Sequence, residues 1–148
     1  MAKIKYVYWK DEIGGKTDEL VTTAFSYGYT VGPHGEWEMV IAKEDKEVKK
    51  DETVNIMVEK IEVPPKSIVL LCPTLRHALG VVLSTAAVGE PLRIEERRTI
   101  GEVIFLPVSD GKVSKGDLLT VLNIFYAALE RRLARGAAEK WLMERYRY

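Results

Sequence analysis

The stretch Val113-Ser114-Lys115-Gly116-Asp117-Leu118-Leu119-Thr120-Val121 shows the pattern that decides the fold. A Val ends one strand, a tight polar turn reverses the chain, and an apolar run begins the next strand. The same order of residue types occurs at residues 48–54 and 63–69, where the turns contain Lys, Pro or Asp. Three such turns in one chain predict an architecture of short strands.

Further runs rich in Val, Ile, Thr and aromatic residues fill much of the remaining chain. The Gly14-Gly15 pair marks a turn between the first two runs, so these are expected to pair. Many short strands at close spacing are typical of a compact antiparallel barrel or sandwich. We therefore predict a single mainly β, barrel-like domain over residues 1–126. The predicted strands cover residues 3–9, 20–29, 36–41, 53–59, 67–72, 80–84, 99–106 and 118–125.

The tetrapeptide Ser109-Asp110-Gly111-Lys112 stands between two apolar runs. Asp-Gly in such a position is the strongest short-range signal for a β-hairpin, because it supplies the positive φ that a primed turn requires. The sequence thus predicts a hairpin that joins residues 103–106 to the region of Val113. The turn accounts for Asp110 without a catalytic role.

After residue 126 the spacing of the apolar residues changes. Charged residues separate four apolar positions that lie four apart, namely Leu129, Leu133, Ala137 and Trp141. This spacing predicts a basic amphipathic helix over residues 127–148, packed either on the domain or on a partner subunit. Arg and aromatic residues also occur on nucleic-acid surfaces, but the solvated face of an amphipathic helix accounts for the same residues.

The composition indicates a cytoplasmic protein of one ordinary domain. The 148 residues carry 22 basic and 22 acidic side chains, so their net charge gives little support for a polyanionic partner. The N-terminal residues lack the apolar run of a signal peptide, and residues 78–88 are too few to span a bilayer, which takes about 20. Gln is absent and Asn occurs twice, as is typical of thermophile proteins. Cys72 lies among apolar neighbours and is expected in the core.

No recognised catalytic or cofactor motif is present in the sequence. It contains no P-loop, no GxGxxG after a strand, no GxSxG, no CxxC and no HExxH. With two His residues, His34 and His77, and one Cys, a zinc site would have to recruit carboxylates. We therefore predict no catalytic residues, no cofactor and no metal site.

One short segment, Arg76-His77-Ala78-Leu79-Gly80, places chemically versatile side chains between two predicted strands. Arg76 is suited to bind a carboxylate or phosphate through paired hydrogen bonds, and His77 to act as a donor or acid near neutral pH. These two are the candidate ligand-binding residues. The alternative is structural: Arg76 pairs with one of Glu95, Glu96 or Glu102, while His77 bonds a backbone carbonyl.

Several stretches resemble a known family. They are Val63-Pro64-Pro65-Lys66-Ser67, Leu75-Arg76-His77-Ala78-Leu79-Gly80, Ile100-Gly101-Glu102-Val103 and Lys115-Gly116-Asp117-Leu118. Over residues 48–125 the chain is similar to the small archaeal family numbered 22 among the domains of unknown function. That resemblance implies no established activity, and residues from 127 onward lie outside it.

A second similarity concerns the fold alone. Gly89-Glu90-Pro91-Leu92, Ile100-Gly101-Glu102-Val103 and residues 113–117 are similar to SAF domains, which are β-clip modules. The deoxyuridine triphosphatase group shares the β-clip, so the resemblance implies that fold. This chain has His77 where that group places a Ser beside its motif Arg, and the resemblance therefore does not imply pyrophosphate hydrolysis.

Two functions of different classes follow from these residues. The first is a non-catalytic β-clip module that forms a homo-oligomer through edge strands or the terminal helix, and binds a small anionic metabolite or a protein partner near Arg76 and His77. The second is an enzyme acting on a nucleotide or sugar acid, with Arg76 holding the anion and His77 as acid or base. The enzyme would also need carboxylates close to Arg76, for which the candidates are Glu95, Glu96, Glu102 and Asp117.

Overall fold

The computed structural model describes residues 2–24, 35–86, 96–126 and 140. Nearly all of this part of the chain is β-strand and tight turn. The strands are β1 (Ala2–Trp9), β2 (Thr17–Ala24), β3 (Gly35–Ile41), β4 (Lys46–Val48), β5 (Val54–Val63), β6 (Ser67–Arg76), β7 (Gly80–Ala86), β8 (Arg98–Pro107), β9 (Gly111–Val113) and β10 (Leu118–Tyr126).

Neighbouring strands pair in antiparallel fashion throughout the sheets. β1 and β2 form a hairpin whose turn holds Gly14 at a φ of 87°, as the Gly14-Gly15 pair predicts. Two three-stranded sheets have the orders β3-β10-β6 and β5-β8-β7, and β4 pairs with β9. The mainly β prediction is confirmed, but within the described residues the sheets do not close into a barrel.

The three turns that share a sequence pattern also share a backbone conformation. In each, the third residue after the Val has a positive φ: 64° at Asp51, 57° at Lys66 and 92° at Gly116. The last of these turns is closed by a hydrogen bond of 3.0 Å from the Asp117 N–H to the Ser114 carbonyl. Since only Gly adopts positive φ without a steric cost, Asp51 and Lys66 hold strain that Gly116 avoids.

Replacing Lys66 with glycine is therefore expected to stabilise the protein, by up to about 1 kcal/mol, because the relief of the strained φ exceeds the extra entropy of the unfolded chain. The matched control is Lys50→Gly, which also removes an exposed turn lysine but at a residue outside the positive-φ set. That control is expected to lose about 0.5–1 kcal/mol. Urea unfolding of the two variants checks both signs, and equal losses would contradict the role of φ.

β10 lies at the centre of the fold. Its residues 118–122 are buried at five consecutive positions, so the strand is covered on both of its faces. One face of the β3-β10-β6 sheet contributes Val40, Leu122 and Ile124 to the main core, which also contains Val103 and Phe105 of the other sheet. The opposite face packs Met39 and Val121 against Ile4 of β1 in a second, smaller cluster.

The predicted hairpin at Asp110-Gly111 is wrong. β9 begins at Gly111 and pairs with β4, not with β8, and Gly111 does not have a positive φ. Gly111 lies close to a side chain instead: a Cβ atom there would lie 2.7 Å from Cδ1 of Leu79, which would have to shift to admit it. Asp110 accepts a hydrogen bond of 2.7 Å from the Lys50 N–H, so its carboxylate ties this loop to a distant turn.

The C-terminal helix predicted over residues 127–148 falls almost wholly outside the described residues, of which only Lys140 belongs to it, and stays a prediction. Cys72 is half-buried and packs against the second cluster, at the border of the core in which it was expected. In the described part of the chain, no helix is long and apolar enough to cross a membrane.

Candidate functional site

The segment from Arg76 to Gly80 connects β6 to β7, and its residues 77–80 are buried. The His77 N–H donates to the Leu119 carbonyl of β10 at 3.1 Å. The next amide, of Ala78, donates to the Val7 carbonyl of β1 at 2.9 Å. The segment therefore bonds to two strands that lie far from it in sequence.

His77 is completely buried and uses both of its ring nitrogens. The Leu79 N–H donates to Nδ1 at 3.1 Å, so Nδ1 is an acceptor and carries no proton. The proton lies on Nε2, which donates to Oδ2 of Asp117 at 2.9 Å. The ring of Phe105 packs edge-on against the imidazole, with centroids 6.2 Å apart. Both ring nitrogens are thus hydrogen-bonded within the chain.

Asp117 is the buried carboxylate that bonds His77. Its side chain is 1 % exposed, and its Oδ2 atom also accepts the Ser114 N–H at 2.9 Å. Lys5 lies 3.6 Å from Oδ1 of Asp117 and 2.9 Å from Oε1 of Glu19. The hydrogen bond to Glu19, with the attraction of both carboxylates, raises the pKa of Lys5 against the opposing effect of burial. A positive Lys5 thus offsets the charge of a buried carboxylate.

Arg76 is separated from this network although it precedes His77 in the chain. Its side chain is exposed at the end of β6, and it makes no ion pair with Glu96 or Glu102 among the described residues. Glu95 lies outside the described part. The structural alternative for Arg76 therefore finds no support in these two carboxylates, and ligand binding by Arg76 and His77 stays a prediction.

Of the four candidate carboxylates, Asp117 contacts His77. Sequence reasoning named both residues but did not join them, because 40 positions separate them. The sequence signal that relates to Asp117 is the repeated turn pattern. In the structure, the residue after the positive φ is buried in two of these three turns, at Ser67 and Asp117. The alternative prediction that His77 bonds a backbone carbonyl is wrong, because its ring nitrogens bond the Asp117 carboxylate and the Leu79 N–H.

A pocket of about 260 Å³ adjoins the histidine segment, and we refer to it as the hairpin pocket. It lies between the β1–β2 hairpin and the beginning of β9. Apolar side chains and both kinds of charge line it: Val7, Trp9, Gly15, Thr17, Glu19, Leu79, Ser109, Asp110, Gly111 and Lys112. The pocket shares Leu79 with the histidine segment and Glu19 with the Lys5 network, so the two sites are built on the same elements.

The charged groups of the hairpin pocket already have partners within the chain. Lys112 forms an ion pair of 3.0 Å with Asp45, in which both side chains are about half exposed. The Lys115 N–H, which donates to Oδ1 at 2.8 Å, and then the Lys112 ammonium keep the pKa of Asp45 below its usual range. An exposed ion pair of this kind contributes little stability and can be exchanged for a ligand contact.

The described residues contain no group of three or more His, Cys, Asp or Glu side chains placed to hold a metal ion. The candidate site thus has three parts. They are the buried His77–Asp117 pair, the exposed side chain of Arg76, and the hairpin pocket, which has both apolar and charged lining residues.

This is a mainly antiparallel β-domain in which the imidazole of His77 is buried and bonded to Asp117. The chain belongs to the family described as Domain of unknown function DUF22, whose model matches residues 3–111. It is 36% identical over 111 residues to an uncharacterised protein of Methanocaldococcus jannaschii, covering 74% of this chain and 83% of that protein. No solved structure matches the chain at a significant level.

The comparisons confirm the family resemblance and correct its extent. The match begins at residue 3, so β1 and β2 belong to it, and it ends at residue 111, before the Lys115–Leu118 stretch that contributed to the resemblance. His77 lies inside the matched range and Asp117 outside it. The similarity to β-clip modules is not confirmed, since no solved structure matches.

Proposed function

We propose that this protein is a non-catalytic module that binds a small molecule in the hairpin pocket. The observation that carries this proposal is the burial and hydrogen bonding of His77, the one imidazole in the described residues. It is 0 % exposed, and both ring nitrogens are engaged by the Leu79 N–H and by Asp117. A general acid or base must come within hydrogen-bond reach of the substrate, and this imidazole has no nitrogen left to do so.

The lining of the hairpin pocket favours a ligand that offers hydrogen-bond donors. Among the described residues that line it, Glu19 and Asp110 supply carboxylates and Lys112 supplies the one ammonium group. Charged acceptors therefore outnumber charged donors. Trp9 and Leu79 supply apolar surface for the body of the ligand. At about 260 Å³ the pocket suits a molecule smaller than a typical drug. Small amines and polyols have these properties.

Arg76 supports a second candidate, the small anionic metabolite that the sequence predicts. Its guanidinium is exposed and makes no ion pair with any residue that the structure describes. Such a group is available to a carboxylate or phosphate oxygen. This candidate does not use His77, because the imidazole is completely buried and bonded to Asp117 and the Leu79 N–H.

A thermal-shift screen tests both candidates, because a ligand that binds the folded state raises the melting temperature. The compounds are putrescine and D-ribose for the hairpin pocket, with citrate and inorganic phosphate for Arg76. We expect putrescine or D-ribose to raise the melting temperature of the native chain by several degrees, and to lose that effect in Asp110→Asn. An effect of citrate or phosphate should disappear in Arg76→Ala.

The matched control for Asp110→Asn is Glu47→Gln, which removes one exposed negative charge outside the pocket. It should respond to putrescine as the native chain does. If neither amine nor polyol shifts the native chain, or if the shift survives Asp110→Asn, the assignment of the hairpin pocket is wrong.

A further inference from the structure

The β3-β10-β6 sheet leaves part of one face open to solvent. Phe125 lies directly opposite Ile68, and Asn123 opposite Leu70, so these four side chains share one face. Ile68, Leu70 and Phe125 are 46 %, 52 % and 38 % exposed. We call this set of three apolar residues the open face. It lies at the end of the sheet where β6 begins and β10 ends.

The rest of the same sheet face is covered. Met39 and Val121 share it and pack against Ile4 of β1 in the second cluster. β1 therefore covers the far end of β10, and Trp37, opposite Asn123 on β3, extends the second cluster along this face. At the border between this covered part and the open face, the Oδ1 atom of Asn123 is buried without a hydrogen-bond partner among the described residues, as is expected where a neighbouring element supplies the donor.

The size of the open face decides between two kinds of occupant. Three half-exposed large side chains offer roughly 300 Å² of apolar surface, at about 100 Å² each. A stable dimer buries about 800 Å² on each partner, so this face is too small to hold a second copy by itself. It is large enough for the apolar stripe of one short helix.

The chain itself leads to the open face. β10 ends at Tyr126, next to Phe125, and residues 127–148 follow. Their stripe of Leu129, Leu133, Ala137 and Trp141 covers 12 positions, or about 18 Å of helix. Three neighbouring strands measure about 10 Å between the outer two, to which side chains add several ångströms. A helix lying across the strands would thus match the width of the sheet.

We infer that residues 127–148 form a helix that folds back across the open face of the same chain. Leu129, Leu133 and Trp141 contact Ile68, Leu70 and Phe125, while the basic residues between them remain in water. This arrangement decides between the two places that the sequence allowed for the helix, the domain itself and a partner subunit. It also shields the outer edge of β6, to which no strand is paired within the described residues.

A double-mutant cycle in the full chain tests this inference. Leu70→Ala, Leu133→Ala and the combined variant are unfolded by heat at protein concentrations of about 2 and 200 µM, and the masses are measured by light scattering. We expect each single variant to lower the melting temperature by several degrees. The combined variant should lose clearly less than the sum, because each substitution removes the contact of the other.

The matched control is Met57→Ala, which removes a side chain of similar exposure, 44 %, from the other three-stranded sheet. Met57→Ala and Leu133→Ala should be additive. Coupling between Leu70 and Leu133 at a monomer mass, with a melting temperature independent of concentration, supports the inference. Additive losses, or no effect of Leu133→Ala, would overturn it. Coupling accompanied by a dimer mass would also overturn it, and would assign the open face to a second copy.

Discussion

His77→Ala is expected to lower the free energy of unfolding by about 3–5 kcal/mol, because it leaves the buried Asp117 carboxylate without its hydrogen-bond donor. The Asp117 carboxylate, 1 % exposed, would lose the Nε2 donor at 2.9 Å, and the Leu79 N–H would lose its acceptor. The vacated ring volume beside Phe105 adds a cavity term. Since the stability of a domain is typically 5–15 kcal/mol, this loss is a large fraction of the total.

Urea unfolding at neutral pH measures the effect, with Arg76→Ala as the matched control. Arg76 is the adjacent residue, but its exposed side chain has no ion-pair partner in the described part, so its removal should change stability by less than about 0.5 kcal/mol. Similar losses in the two variants would contradict the structural role of His77. If His77→Ala does not fold, Asp117→Asn provides the measurement, because it keeps an acceptor for the Ser114 N–H but weakens the bond to His77.

Gly80→Ala is the second substitution with a large expected effect, a loss of about 2–3 kcal/mol from overpacking. A Cβ atom at Gly80 would meet the Leu106 carbonyl oxygen of the paired strand β8 and would lie 2.8 Å from Cζ of Phe105. The carbonyl belongs to a sheet backbone and Phe105 is completely buried, so neither can move away at low cost.

Gly101→Ala is the control for this prediction. Gly101 lies in the same sheet, but a Cβ atom there meets nothing within 4 Å and the residue does not have a positive φ. Alanine should therefore be neutral at Gly101 or stabilise by about 0.5 kcal/mol through the lower entropy of the unfolded chain. Thermal and urea unfolding of both variants separate the two cases. Gly80→Ala with native stability would show that the β7–β8 spacing is looser than described.

These predictions give the segment from Arg76 to Gly80 a different meaning from the one its residue types suggest. His77 bonds Asp117, Ala78 bonds the Val7 carbonyl, Leu79 packs against Gly111, and Gly80 allows β7 to approach β8. Arg76 is the one member of the segment without such a contact among the described residues. The two side chains that suggest a joint site in the sequence lie in different environments. The imidazole of His77 is buried, and the guanidinium of Arg76 is exposed.

Much of the strand content was predictable because it depends on near neighbours in the chain. The alternation of apolar residues placed β1, β3, β5, β8 and β10 within a few positions of their observed limits. The shared pattern predicted three tight turns, and the structure adds that they have a common positive φ and that the strands flanking each turn lie in different sheets. β4 and β9 were missed because each has three residues, which is too short for a periodic signal.

The candidate site was less predictable because its parts come from distant segments. The hairpin pocket joins Trp9 and Glu19 to Leu79 and Lys112, and no local pattern relates these residues. The Asp110-Gly111 signal led to the wrong partner for the same reason. Local turn preference favoured a hairpin with β8, but the close contact of Gly111 with Leu79 and the pairing with β4 decided the outcome.

The sequence by itself determined the longer strands, the three repeated turns, the family and the absence of known catalytic motifs, since these depend on residue types at short spacing. Only the tertiary structure decided that His77 is sealed inside the protein by Asp117 and Leu79, and that Arg76 is not. The physical reason is that burial and hydrogen-bond partners depend on which strands pack together. Here β10 carries the Asp117 turn to the β6–β7 connection, 40 residues away along the chain.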